Sequence, residues 1–256
     1  MRRATPFAPA PGSPRLLLRE RRERTELWTE AAGPPPAVYG ERWSTVDGRP
    51  VRAFEPARSK LAAGLARGWE APLPAPGERW LYLGAASGTT ASHLADLLGP
   101  EGRLYAVEKS VRPFARLLAL AERWPNLLPV LADARSPEAY AGPVPLVDGV
   151  YADIAQPDQV EIVLANARLL LADGGAVVVA LKTSTMGRER GAPEHLRRAE
   201  EALSAELRLE RSVRLDPQFR SHYLVGGRMA RTAGPGGAPP GAPRRAPGRR
   251  PHPRAR

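Results

Sequence analysis

The sequence predicts an α/β fold: a parallel sheet with helices on both faces, an antiparallel hairpin at one edge, and a small β-rich domain in front. Three observations carry that reading. From Arg79 onward short apolar runs alternate with longer amphipathic ones, the rhythm of a parallel sheet. The apolar run 80–83 stops at Gly84, Gly88 follows four residues later, and Thr89-Thr90 open an amphipathic stretch to Leu98. Strand, tight glycine turn and helix start succeed one another there. The pattern then ends on two strand-like runs, 209–215 and 223–229.

Taken in order, the chain begins with a basic segment. Residues 1–24 hold seven Arg and two Glu, and residues 231–256 hold seven Arg and no acid. The net charge of +11 therefore sits at the ends, and residues 25–230 carry about −1. Both ends are rich in Pro, Gly, Ala and Arg, which predicts a disordered basic arm over 1–24 and a disordered tail over 231–256. Such arms suit non-specific phosphate contacts, or record only a coding bias toward these residues. Residues 25–58 read as the small β domain, with Asp47-Gly48 as a hairpin turn. Ser59 caps a helix through Leu65, with Leu61, Leu65 and Trp69 on its buried side. A proline-rich linker, 71–77, leads into the α/β domain, which completes the unit 59–230. There the predicted strands are 104–107, 127–132, 146–152 and 176–181, with helices through Ala121, over 158–171 and over 193–207.

Composition also excludes. Without cysteine there are no disulfides and no thiolate metal sites. The histidines His93, His195, His222 and His252 are too scattered to suggest a metal cluster. The apolar run 169–181 is broken by Asp173-Gly174-Gly175 and is too short to cross a bilayer. With no apolar leader after Met1-Arg2-Arg3, a cytoplasmic protein without membrane partners is expected.

Ligands of parallel α/β sheets bind beyond the carboxyl ends of the strands. Five successive strands here end at Gly84, Glu108, Asp133, Asp153 and Lys182. The Gly-x-x-x-Gly spacing is not a dinucleotide fingerprint; it fits an adenosine-type cofactor or a purely structural turn. Glu108, 24 positions after Gly84, is placed to accept from both hydroxyls of a ribose, and Asp133 from an exocyclic amine. In the run Asp153 to Gln159, Asp153 can act as a base or orient a hydroxyl, and Lys182 can stabilise a developing alkoxide. The alternative is a structural ion pair. Lysine at 182 is notable in a chain with three lysines and 35 arginines, and hints that a compact ammonium is needed there.

Several segments together resemble fibrillarin and its archaeal fibrillarin-like counterparts: Tyr82-Leu83-Gly84-Ala85-Ala86-Ser87-Gly88-Thr89-Thr90, Tyr105-Ala106-Val107-Glu108, Asp133-Ala134-Arg135 and Ala152-Asp153-Ile154-Ala155-Gln156-Pro157-Asp158-Gln159. Upstream, Val38-Tyr39-Gly40-Glu41-Arg42 and Arg58-Ser59-Lys60-Leu61 match as well. The resemblance covers roughly residues 37–230. It implies a class I, Rossmann-like methyltransferase that uses S-adenosylmethionine and needs no metal. The implied cofactor residues are Gly84, Ala86, Ser87, Thr89, Thr90, Glu108, Lys109, Asp133, Ala134, Asp153, Ile154, Ala155 and Gln156. The family's Lys-Asp-Lys-His catalytic set falls on Asp153, Lys182 and His222, with its first lysine replaced by Arg79. Arginine keeps the charge but cannot serve as a neutral base. The implied substrate is the ribose 2′-hydroxyl of rRNA and tRNA, chosen by pairing to a box C/D guide RNA. The implied partners are a coiled-coil Nop-domain scaffold protein and a kink-turn-binding ribosomal-type protein. Two other readings stand beside it: a methyltransferase that binds target RNA without a guide, and a particle subunit made inert by Arg79. An NAD-dependent oxidoreductase is disfavoured by the glycine spacing.

Overall fold

The computed structural model describes residues 6–21, 24–70, 72–187, 189 and 191–230. Its first departure from the sequence reading is at the N-terminus. Instead of a disordered arm over 1–24, strands β1 (Phe7–Ala10) and β2 (Ser13–Arg21) join β3 (Arg24–Glu30), β4 (Trp43–Val46) and β5 (Arg49–Ala53). The five form one antiparallel sheet in the order β1-β2-β3-β5-β4, so the small domain starts near residue 7, not at 25. The reason lies in where the basic residues go. Leu16 and Leu17 are buried, Arg15 pairs with Glu30 at 2.9 Å, and the Arg19 guanidinium lies 5.0 Å from the Phe7 ring centre. Adjacent in sequence, Leu16 and Leu17 point to opposite faces of the strand and enter different apolar clusters, so β2 can carry several arginines whose charges find partners. Residues 1–5, 22–23 and the tail 231–256 fall outside the described residues.

The predicted hairpin at Asp47-Gly48 joins β4 to β5, with both residues at positive φ. Helix α1 (Lys60–Leu65) starts at Ser59, whose hydroxyl accepts from the Ala62 N–H at 3.4 Å. The chain then runs through β6 (Arg79–Leu83), α2 (Thr89–Leu98), β7 (Arg103–Glu108), α3 (Val111–Ala121), β8 (Leu127–Leu131), β9 (Val147–Ala152), α4 (Gln159–Leu170), β10 (Leu171–Lys182), α5 (Ala192–Ser204), β11 (Leu207–Arg214) and β12 (His222–Met229). These strands form a seven-stranded sheet in the order β11-β12-β10-β9-β6-β7-β8. The five strands from β10 to β8 are parallel, and β12 runs antiparallel between β10 and β11, the predicted edge hairpin. Strand β10 starts earlier than predicted, because its irregularity between Leu171 and Ala176 absorbs Asp173-Gly174-Gly175. Among the described residues no helix is long and apolar enough to cross a membrane.

Helix α2 departs from its amphipathic pattern. Every residue from Thr90 to Leu98 is buried, polar ones included. The face that should meet water is covered by the smaller sheet, and Ser92, His93 and Asp96 meet Thr29, Tyr39 and Arg52 in a dry polar seam. That seam fixes the small domain against the larger sheet and holds α1 beside the strand ends.

Candidate active site

The larger sheet's strand order reverses between β6 and β9, and a crevice opens beyond their carboxyl ends, as expected at such a switch point. A cleft of about 200 Å³ lies there. Of the thirteen cofactor candidates, ten line it: Gly84, Ala86, Glu108, Lys109, Asp133, Ala134, Asp153, Ile154, Ala155 and Gln156. Three do not. Ser87 borders a neighbouring depression with Arg112 and Arg116. Thr89 opens α2, and the buried Thr90 hydroxyl donates to Ser59 Oγ at 3.0 Å, tying α2 to the cap of α1. The loop after Ala86 turns away from the cleft, which a linear motif cannot convey. Val107, Ala132, Arg135 and Ile162 also line the cleft and were not singled out from sequence.

Gly84 has φ +81°, and a Cβ there would lie 2.5 Å from the Asp153 carbonyl oxygen. The close approach brings the loop and the Asp153 backbone together, fastened by the Asp153 N–H donating to the Leu83 carbonyl at 2.9 Å. Gly84→Ala is expected to lower cofactor affinity at least tenfold and to cost roughly 1–3 kcal/mol of stability. Calorimetric titration and a thermal melt would check this; wild-type values in both would show that the approach is not needed.

The acidic lining groups are already partly engaged. Glu108 accepts from the N–H groups of Ala86 at 3.0 Å and Ser110 at 2.7 Å, which shapes the glycine loop. Each carboxylate oxygen has a further lone pair for a ligand hydroxyl. Asp133 accepts from the Arg135 N–H at 3.0 Å; that bond, helped by the Lys109 ammonium 3.4 Å away, holds its carboxyl below the ordinary range despite some desolvation. Arg135 spans the rim, forked onto Asp158 at 2.8 Å and reaching Gln156 at 2.9 Å.

One end of the cleft adjoins a cluster of charge. Asp153 follows β9, and both its carboxylate oxygens accept from Lys60 Nζ at 2.7 Å. Each side chain of this pair is 19% exposed. Lys182, the last residue of β10, pairs in register with His222, the first of β12. Gln159 clamps the Lys182 backbone, accepting from its N–H at 2.9 Å and donating to its carbonyl at 3.0 Å. His222 Nδ1 lies 2.8 Å from the Arg220 carbonyl, which can only accept, so Nδ1 carries the proton and Nε2 is left as an acceptor. Burial is the largest influence on His222; the Arg220 bond and Asp153 oppose it, the ammonium groups of Lys60 and Lys182 reinforce it, and the pKa falls below 6.5. The Phe219 ring backs the Lys60 ammonium at 5.3 Å.

Asp153, Lys182 and His222 thus come together as anticipated, and Arg79 does not join them. Arg79 is the first, exposed residue of β6, its N–H donating to Asp148 at 2.8 Å. Five strand residues at about 3.3 Å each put it roughly 16 Å from Gly84, at the opposite rim of the sheet. The basic residue on Asp153 is Lys60, from a helix preceding the linker. A signal was present: all three lysines of the chain, Lys60, Lys109 and Lys182, stand at this edge.

Comparison with known proteins agrees with this geometry. The family model described as fibrillarin matches residues 16–231. The rRNA 2′-O-methyltransferase fibrillarin of Eremothecium gossypii is 40% identical over 218 residues, which cover 80% of this chain and 67% of the relative, so the chain spans about two thirds of that protein's length. Among solved structures, Aeropyrum pernix fibrillarin with natively bound S-adenosyl-L-methionine superposes with a TM-score of 0.79 at 37% identity, covering 89% of this chain and all of that one. A fibrillarin/Nop5p complex matches with a TM-score of 0.72 at 38% identity, over 81% of this chain and 94% of that one. With the family model covering the whole larger sheet, the strand-end cluster and the smaller sheet from Leu16 onward, the chain belongs to the fibrillarin family.

Proposed function

We propose that this chain is an S-adenosylmethionine-dependent methyltransferase acting on the ribose 2′-hydroxyl of RNA, directed by a box C/D guide RNA. The observation that carries the reading is the Lys60–Asp153 pair, set beside Lys182 and His222 at the edge of a cleft lined by ten of the cofactor candidates. The lining suits the cofactor: Glu108 and Asp133 offer acceptors, and Gly84 lets the loop close onto the Asp153 backbone beside them. When bound, S-adenosylmethionine supplies an electrophilic methyl group on sulfur. Glu108 and Asp133 would hold its nucleoside end, in a cleft that residues 153–156 also line. Asp153 orients the 2′-hydroxyl and Lys60 fixes the carboxylate in one rotamer. Lys182 stabilises negative charge gathering on the ribose oxygen, and neutral His222 presents Nε2 to accept the departing proton.

Lys60 takes the place of the family's first catalytic lysine. The idea of a subunit made inert by Arg79 then has no premise. A coiled-coil Nop-domain scaffold protein is the proposed main partner, supported by the solved fibrillarin/Nop5p complex. A kink-turn-binding ribosomal-type protein and the guide RNA complete the proposed particle, working in the cytoplasm on rRNA and tRNA. The test is single-turnover transfer of a labelled methyl group within the reconstituted particle. Wild type should label the guided ribose, and Asp153→Asn should be slower by about 10²–10⁴-fold. Label on a base, or an Asp153→Asn rate equal to wild type, would overturn the assignment.

A further inference from the structure

A second depression lies at the far end of α1 from the catalytic cluster. It is a cleft of about 1300 Å³ between the β2–β3 hairpin and the segment carrying Gln218, far larger than a cofactor requires. Its floor includes the aliphatic side chains Leu18, Leu27 and Leu65. Its rim carries Arg21, Arg24 and Arg42, faced by Glu26 and Glu55. Glu26 lies 3.6 Å from Arg21 and 3.1 Å from Arg42, yet those guanidinium side chains stay 59% and 48% exposed. They are tethered by one acid and still open to solvent.

Two of the lining segments connect to the reacting centre. Helix α1 carries Lys60 at one end, on Asp153, and Leu65 at the other, in the cleft. Five residues at 1.5 Å each separate them by about 8 Å. Gln218, which also lines the cleft, accepts from Arg67 at 2.7 Å and directly precedes Phe219, whose ring backs Lys60. Arg58, two residues before Lys60, lies 5.5 Å from the Tyr39 ring centre. Arg58 and Lys60 thus add positive charge at the end of α1 nearest Asp153, and Arg21, Arg24 and Arg42 at the cleft by its other end.

Resting on the methyltransferase reading, we propose that this cleft is a track for the RNA phosphate backbone, with Arg21, Arg24 and Arg42 neutralising phosphates next to the nucleotide that reaches Asp153. The lining explains why it reads backbone and not bases. Sequence-tolerant stacking needs an exposed ring, and the one aromatic among the described lining residues, Phe54, is 0% exposed. Guanidinium groups on an aliphatic floor hold phosphates without base readout. That suits an enzyme whose target is chosen by a guide.

The test uses the full-length protein and fluorescence anisotropy with a single-stranded RNA oligonucleotide over a salt series. Each lost phosphate contact lowers the salt slope by about 0.7, so the Arg21→Ala, Arg24→Ala, Arg42→Ala triple variant should lose about 2 units of slope and bind roughly tenfold more weakly at low salt. A matched triple variant at Arg168, Arg197 and Arg208, on α4, α5 and β11, should keep the wild-type slope. Thermal melts and S-adenosylmethionine affinity of both should match wild type. An unchanged slope, or an equal loss in the matched variant, would overturn the track. So would loss of scaffold-protein binding with RNA binding intact, which would mark the cleft as a protein interface. Because binding needs no turnover, a wild type that binds RNA through this cleft without transferring methyl would defeat the proposed function and leave the track standing.

Discussion

Replacing Lys60 with methionine should slow methyl transfer about 10²- to 10³-fold, the range found when one preorganised hydrogen-bond donor is removed from a reacting centre. The argument is geometric. Lys60 Nζ reaches both oxygens of Asp153 at 2.7 Å, an arrangement that leaves the carboxylate a single orientation toward the cleft. Methionine keeps the length and apolar stem but removes the charge, so the carboxylate is free to turn toward water or toward Lys182. Lys60 does not line the cofactor cleft, and S-adenosylmethionine affinity should stay within about threefold of wild type. Arg79→Ala should leave the rate within twofold, because Arg79 begins β6 at the other rim of the sheet. Single-turnover rates and calorimetric binding for the two variants separate the possibilities. An active Lys60→Met with an inactive Arg79→Ala would reverse the assignment.

The strand-end residues were legible in the sequence because strand polarity is a local property. Gly84, Glu108, Asp133, Asp153 and Lys182 each close an apolar run, and parallel strands put all such ends on one edge. Lys60 was not legible in that way. It sits 93 positions from Asp153, on the first turn of a helix in front of a proline-rich linker, and only the packing of the two sheets brings it in. Arg79 stays outside the site for a related reason: it starts β6, and five residues back along a strand lead away from the edge where Gly84 stands. At the N-terminus a composition averaged over 24 residues hid the apolar positions Leu16, Leu17 and Leu18 of β2. For Ser87, Thr89 and Thr90 the motif was present, but the path of the loop after Ala86, set by φ +49° there and +94° at Gly88, was not encoded in spacing. Helix α2 reads as amphipathic because its polar face meets protein polar groups where the sequence alone suggests water.

Asp96→Ala should destabilise the protein by roughly 3–5 kcal/mol, the cost of leaving a buried charge network without one partner. Both Asp96 and Arg52 have fully buried side chains. The Asp96 carboxylate accepts from Arg52 Nε at 2.6 Å, Thr29 Oγ1 at 2.7 Å, and the Ala32 N–H and Trp124 Nε1 at 2.8 Å each. Alanine leaves those four donors facing one another in a dry seam, and Arg52 keeps only Glu41 at 2.9 Å and Ser92 at 2.7 Å. Arg197→Ala, by contrast, removes exposed pairs with Glu194 and Glu201 and should cost under about 1 kcal/mol. Urea titration of both variants measures the difference; a cost below 1 kcal/mol for Asp96→Ala would mean the seam contributes little. The same seam makes stability fall in acid. His93 is fully buried, and burial, with the Arg52 charge, lowers its pKa well below 6.5. The unfolded chain therefore takes up a proton that the folded chain refuses, and wild type should lose up to about 1.4 kcal/mol per pH unit as pH falls through 6.5. Burial alone would raise the Glu41 carboxyl, but the N–H groups of Tyr39 and Val38 and the Arg52 guanidinium outweigh it, so its pKa lies below 4.5. Its contribution is present above the unfolded value and lost only at lower pH. A His93→Gln variant should lose the larger part of the first decline, keeping the share that His222, also depressed, contributes, and should keep the second; a slope near pH 6 unchanged from wild type would show that His93 takes no part.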